Sequence, residues 1–223
     1  MKNKKIIEIL KGILVICGYL IMPSLLLISF LFLVKQNILP NNLSLEYFYV
    51  YLLSLLIVSL LYKDTLINDF KDFKKNYKNY IKNNLKYYII GLSIMIISSS
   101  IITKCGINEA SNQTENIKIL KQIPITECIL AIFIIPIIEE LVFRRSLYKG
   151  INNKYIFTII TGLIFGSTHV ILSITNTIEL FYIIPYTSCG IALSYIYKET
   201  DNIYSSIVFH SLHNFISLLL LII

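Results

Sequence analysis

The stretch Pro136-Ile137-Ile138-Glu139-Glu140-Leu141-Val142-Phe143-Arg144 places two adjacent carboxylates and an arginine at the end of an otherwise apolar run. A carboxylate near hydrocarbon is costly unless it is paired or hydrated, so such groups are functional candidates by default. Glu140 and Arg144 are four residues apart, about one helical turn, and can pair directly. A plain structural role competes, an ion pair that fixes a helix end at the membrane surface. The surroundings of the stretch decide between the two.

Those surroundings are membrane-like. Of the 223 residues 56% are hydrophobic, above the ~45–50% of soluble domains, and the mean hydropathy is +0.71. Apolar runs recur along the whole length, which predicts an all-α polytopic transmembrane helix bundle of about seven spans. They are expected at about 11–34, 47–62, 87–102, from 123 through the motif, 155–174, 180–197 and from 203 onward. The first run follows a lysine-rich start and lacks a small-x-small cleavage pattern, so it reads as a retained span that Pro23 kinks.

Two connecting stretches have a character of their own. Over 63–86, Leu66, Phe70, Phe73, Tyr77, Tyr80 and Ile81 recur at helical spacing while lysines cover the other face. That pattern predicts an amphipathic helix lying in the membrane interface. Residues 105–122, rich in Asn, Ser and Thr, read as a loop. The chain thus divides into N-terminal spans with the interfacial helix (1–122) and a chemistry-bearing part (123–223), within a single membrane domain.

The net charge of +7 comes from lysines beside apolar runs. This placement fits topology signals and a lipid bilayer with anionic head groups better than it fits nucleic acid, so no nucleic-acid partner is expected. With seven spans, the N-terminus, 63–86 and 144–154 fall on one side, expected to be the cytoplasmic side of the plasma membrane. Cys17, Cys105, Cys128 and Cys189 are scattered and form no CxxC, so no disulfide framework follows.

His169, His210 and His213 all lie in apolar runs of the last third. Each could simply hydrogen-bond a neighbouring helix. Depth points further: counting ~1.5 Å per residue, Glu139 lies about 15 Å before Gly150, His210 about 10 Å beyond Ile203 and His169 about 20 Å beyond Tyr155. All three fall in the middle to cytoplasmic half of a bilayer, where one polar cavity could collect them. Phe165 shares a helix face with His169, as His210 does with Asn214, each pair four apart. Gly162 and Gly166 would let another helix approach closely. His213 ranks below His210, which has the better-spaced partner.

Three patterns in this order, Glu139-Glu140-x-x-x-Arg144, Phe165-x-x-x-His169 and His210-x-x-x-Asn214, resemble the CAAX-prenyl-protease and bacteriocin-processing (CPBP, or Abi) family of type II CAAX endopeptidases. The resemblance covers roughly 123–214. It departs where many members have glycine after the motif arginine; Arg145 and then Ser146 stand there instead. It implies an intramembrane endopeptidase whose substrate is a peptide or membrane protein. Glu139 would be the base that polarises water together with His169, and His210 and Asn214 would donate to the oxyanion. Glu140 would orient Arg144 or help to position water or substrate.

A zinc version stays open beside the metal-free one, because Glu139, His169 and His210 could leave one coordination position vacant. No HExxH supports it. Two other classes compete, a non-catalytic bacteriocin-immunity or scaffold protein of the same fold and a small transporter. The second lacks internal repeats or paired interrupted helices.

Overall fold

The structure is a computed structural model that describes residues 2–107 and 110–222. It is all-helical in its regular elements and contains six helices long and apolar enough to cross a membrane among the described residues. These are α1 (Lys2–Lys35), α2 (Leu43–Leu61), α3 (Lys63–Lys104), α8 (Lys154–Ile171), a 3₁₀ turn (Thr177–Tyr182) running into α9 (Ile183–Thr200), and α10 (Ile203–Ile222). Between them lie α4 (Ser111–Gln122) and an irregular helical segment. That segment runs α5 (Pro124–Ile129), a π-turn (Leu130–Ile134), α6 (Ile135–Glu139), a second π-turn (Glu140–Arg145) and α7 (Ser146–Tyr148). It stands where the fourth of seven spans was expected, but its alternating short α and π turns are not among the six helices long and apolar enough to cross.

Two compact units emerge, and the chain passes between them more than once. One comprises residues up to Ile67, Ile119–Gly150 and the part of α10 from His210 onward. The other comprises Asn68–Lys118 and Ile151–Phe209.

In the first unit, α1 lies directly against the motif segment. A Cβ on Gly12 would come within 2.6 Å of the Ser146 carbonyl, and one on Gly150 within 2.5 Å of Ile9. Tyr19 meets Phe143 edge-on at 5.9 Å. The neighbouring α2 begins at Asn42, whose side chain accepts from the Leu45 amide, one of the amides a helix start leaves without an internal partner. It packs on α1 through Phe30 and Tyr49, 5.5 Å apart.

The second unit is organised by a close α8–α9 hairpin. Cβ atoms on Gly162 and Gly166 would clash with the backbones of Ile191 and Thr187, and Thr161 donates to Ser194 at 2.8 Å. Tyr88, Cys189, Leu193, Ile196 and Phe209 form one core cluster; Ile102, Ala110, Val170 and Tyr182 form another. Where α9 ends, Asp201 takes a left-handed conformation. The next helix is then capped from α3: Asp69 accepts from the Ile203 amide at 2.9 Å, and Asp72 from Asn202 at 2.8 Å. Carboxylates suit a helix start, where the amides and the helix dipole are positive.

Two expectations change. The amphipathic helix over 63–86 is present, but it continues without a break into the third span as α3. At about 63 Å, α3 is twice the ~30 Å hydrocarbon thickness, so its basic half extends past the part that can cross. Part of its apolar face is covered by protein, since Phe70 and Phe73 pack on Tyr204 at 5.5 and 6.0 Å. The loop expected over 105–122 is instead helical from Ser111 as α4; residues 108–109 lie outside the described residues. Its first amide is capped by Glu179, which accepts from the Ser111 amide at 2.9 Å and its hydroxyl at 3.0 Å. The same carboxylate closes the capping box that opens the 3₁₀ turn. A distant cap of this kind leaves no trace in local composition.

Glycine tolerance should follow this packing. Gly166→Ala places a methyl 2.6 Å from the Thr187 backbone nitrogen and should cost about 1–3 kcal/mol. Gly18→Ala, with nothing within 4 Å, should be neutral or stabilise by up to ~1 kcal/mol. Reversible unfolding in mixed micelles measures both.

Candidate active site

Glu140 is wholly buried, and so is Arg144, one turn further along the second π-turn. The Arg144 guanidinium lies 3.1 Å from Glu140 Oε1. His210 of α10 reaches the same oxygen, Nδ1 to Oε1 at 2.8 Å. The carboxylate accepts, so Nδ1 carries a proton, and Nε2 lies on the other side of the ring. That side faces Glu139, whose Oε2 is 3.6 Å from Nε2. One imidazole therefore stands between two carboxylates, bonded to Glu140 and facing Glu139.

The α/π alternation sets this arrangement up. In a π-turn an amide bonds back five residues, as Ile135 does to Leu130 and Ser146 to Leu141. The next amide after Ile135 would serve Ala131, but that residue is Pro136, which has no N–H. Asn214 supplies the missing donor, its Nδ2 bonding the Ala131 carbonyl at 2.8 Å. The position expected to hold an oxyanion thus also repairs the helix that carries Glu139.

Two further side chains of this unit lie near Glu139, and a third lies near one of them. Tyr19 of α1 and Tyr51 of α2 lie within electrostatic range of it, and Tyr51 also of Glu127. Glu127 is itself buried, on α5. The sequence offered a signal for Glu127, an acidic residue in an apolar run, by the argument applied to Glu139. For the two tyrosines it offered none. Arg145, at the position where glycine was expected, donates through Nε to Thr65 at 2.7 Å and so ties the motif segment to the start of α3.

His169 belongs to the other unit, on α8. Its Nδ1 lies 2.8 Å from the Phe165 carbonyl, which only accepts, so the neutral ring bears its proton there and its lone pair on Nε2. Phe165 and Tyr186 flank the ring at 4.1 and 5.3 Å between centroids. The Phe165-x-x-x-His169 spacing therefore fixes both the tautomer and the ring plane. Among the described residues no three or more His, Cys, Asp or Glu side chains are grouped to hold a metal ion. The zinc set expected from the sequence, Glu139, His169 and His210, is therefore not supported.

Residues 121–216 match the family described as type II CAAX prenyl endopeptidase Rce1-like. An uncharacterized protein of Mycoplasma capricolum is 30% identical over 68% of this chain, which spans 47% of that relative, about half its length. A UPF0177 protein YxdF of Lactococcus lactis is 26% identical over 59% of the chain and 78% of its own length. The Bacillus subtilis protein named "Putative membrane peptidase YdiL" is 27% identical over 72% of the chain and 63% of its own. No solved structure matches. The matched region, a little under half of the chain, contains the two glutamates, Arg144, His169, His210 and Asn214, and this likeness supports a place in the CPBP family.

Proposed function

We propose that the chain is an intramembrane endopeptidase that hydrolyses a peptide bond in a membrane-associated peptide or protein, with Glu139 as general base. The observation that carries this reading is the division of labour between the adjacent carboxylates. Glu140, wholly buried, meets both Arg144 and His210, whereas the Glu139 side chain keeps partial exposure and places Oε2 3.6 Å from the second nitrogen of His210. Glu139 would take a proton from water as the water oxygen attacks the scissile carbonyl carbon, then pass that proton to the leaving nitrogen as the C–N bond breaks. His169 is assigned as the second group polarising that water, an assignment resting on its sequence motif.

Oxyanion donation falls to His210 and Asn214. An imidazolium donates from both nitrogens, and an Asn amide has two hydrogens of which Ala131 uses one. The catalytic residues lie within 123–223, on the side of the plasma membrane that the lysine distribution marks as cytoplasmic.

Glu139→Ala and His169→Ala should each lower cleavage by roughly 10²–10⁴-fold. Comparative peptidomics of membranes carrying each variant reads this as uncut peptides that accumulate. Cleavage that survives both substitutions rules out the protease reading.

Asn214 has two roles that one experiment separates. Asn214→Ala should lose about 1–3 kcal/mol of stability by stranding the Ala131 carbonyl. Adding Pro136→Ala restores the missing N–H and should recover most of that stability, while a loss of roughly 10²-fold in rate persists. If rate returns together with stability, Asn214 is structural only.

A further inference from the structure

The second unit carries an apolar cavity of about 440 Å³ that the proposed chemistry leaves unused. It lies along α3 and α9, with Leu163 of α8 on one side. Its floor is a tight crossing: a Cβ on Gly91 would sit 2.5 Å from the Ala192 Cβ, and Ser188 donates to the Gly91 carbonyl at 3.2 Å. The walls are open sideways, for Ile90, Ile94, Leu163 and Ile184 are 55%, 48%, 45% and 53% exposed.

One end has a different chemistry. Tyr87 and Tyr195 close it with ring centroids 4.4 Å apart. Lys86 Nζ stands 4.8 Å from the Tyr87 ring and Lys154 Nζ 3.9 Å from the Tyr195 ring. Lys154 also pairs with Glu199. Two ammonium groups against one carboxylate leave this end positive.

Dimensions select the occupant. From Ile183 to Tyr195 the groove runs about 18 Å along α9, close to the depth of one leaflet of a ~30 Å hydrocarbon core. A single flexible hydrocarbon chain is narrow enough. We propose that this groove binds an anionic phospholipid, one acyl chain lying along the α3–α9 groove and the phosphate meeting Lys86, Lys154 and the two tyrosyl hydroxyls. A basic, aromatic end over an apolar slot is the complement of that lipid's head and tail.

The chain contains no tryptophan, so Ile184→Trp introduces a single reporter into the groove. The full chain is placed in phosphatidylcholine vesicles containing either dibrominated phosphatidylglycerol or dibrominated phosphatidylcholine. Quenching should show about a fivefold preference for the anionic lipid, the amount expected of one net positive charge at the membrane surface. That preference should fall to about one in Lys86→Gln/Lys154→Gln, whose undiminished quenching by brominated phosphatidylcholine shows that the protein is still inserted. A reporter at Ile21→Trp on α1, 58% exposed, should show no preference. Equal quenching by both lipids at position 184, or a preference that survives the double lysine change, overturns the proposal. So does an equal preference at position 21, which is general charge attraction. Relief of quenching by an added transmembrane peptide, without lipid preference, assigns the groove to a helix and overturns it too.

Discussion

Removing a carboxylate from water costs several kcal/mol even after the protein relaxes around it, and Glu140 has no exposed surface at all. Its position is tenable because one oxygen meets both Arg144, one turn away, and His210, on a helix 70 residues later. Breaking one partner of such a buried set leaves an uncompensated charge, whereas the full set is close to neutral in cost. The two contacts therefore fix the second π-turn and the α10 end to each other. They also aim the remaining face of His210 at Glu139. The charged stretch that looked expensive in isolation is a joint on which the site is hung.

The π-turns belong to the same economy of hydrogen bonds. Such turns are uncommon and concentrate at functional sites, since each leaves backbone groups that something else must satisfy. Here Pro136 removes a donor, and Asn214 returns it from a helix 83 residues away. This geometry gives Asn214 the task of shaping the helix that presents Glu139, and the proposed mechanism adds donation toward the reaction. The two tyrosines from α1 and α2 near Glu139 give the N-terminal spans, which carry no sequence motif, a place in the environment of that carboxylate.

Much of this was legible in the sequence because membrane spans announce themselves by long apolar runs, and because a buried Glu, Arg or His is rare enough to notice. The helix ends over 154–171 and 203–222 lie within a few residues of those expected. What escaped reading depends on partners far along the chain. The α4 helix begins under a carboxylate 68 residues away, so its Asn- and Ser-rich sequence looked like loop. The interfacial helix and the third span merge because no Gly or Pro interrupts the chain near 86, and Asn84 donates back to the Tyr80 carbonyl instead of capping a new helix. The α/π register was invisible, since it is stabilised by a side chain on another helix. The zinc alternative is left without support, since no three such donors are grouped among the described residues.

The account rests on Glu139 and Glu140 having different tasks despite standing side by side. Equilibrium unfolding of Glu139→Gln and Glu140→Gln, measured in the same mixed micelles, tests that division most directly. Glu140→Gln should lose about 3–5 kcal/mol, because Arg144 and His210 are left without their shared carboxylate. Glu139→Gln should match the parent or exceed it, as removal of a functional charge commonly does. Equal losses, or the larger loss at Glu139, would contradict the account.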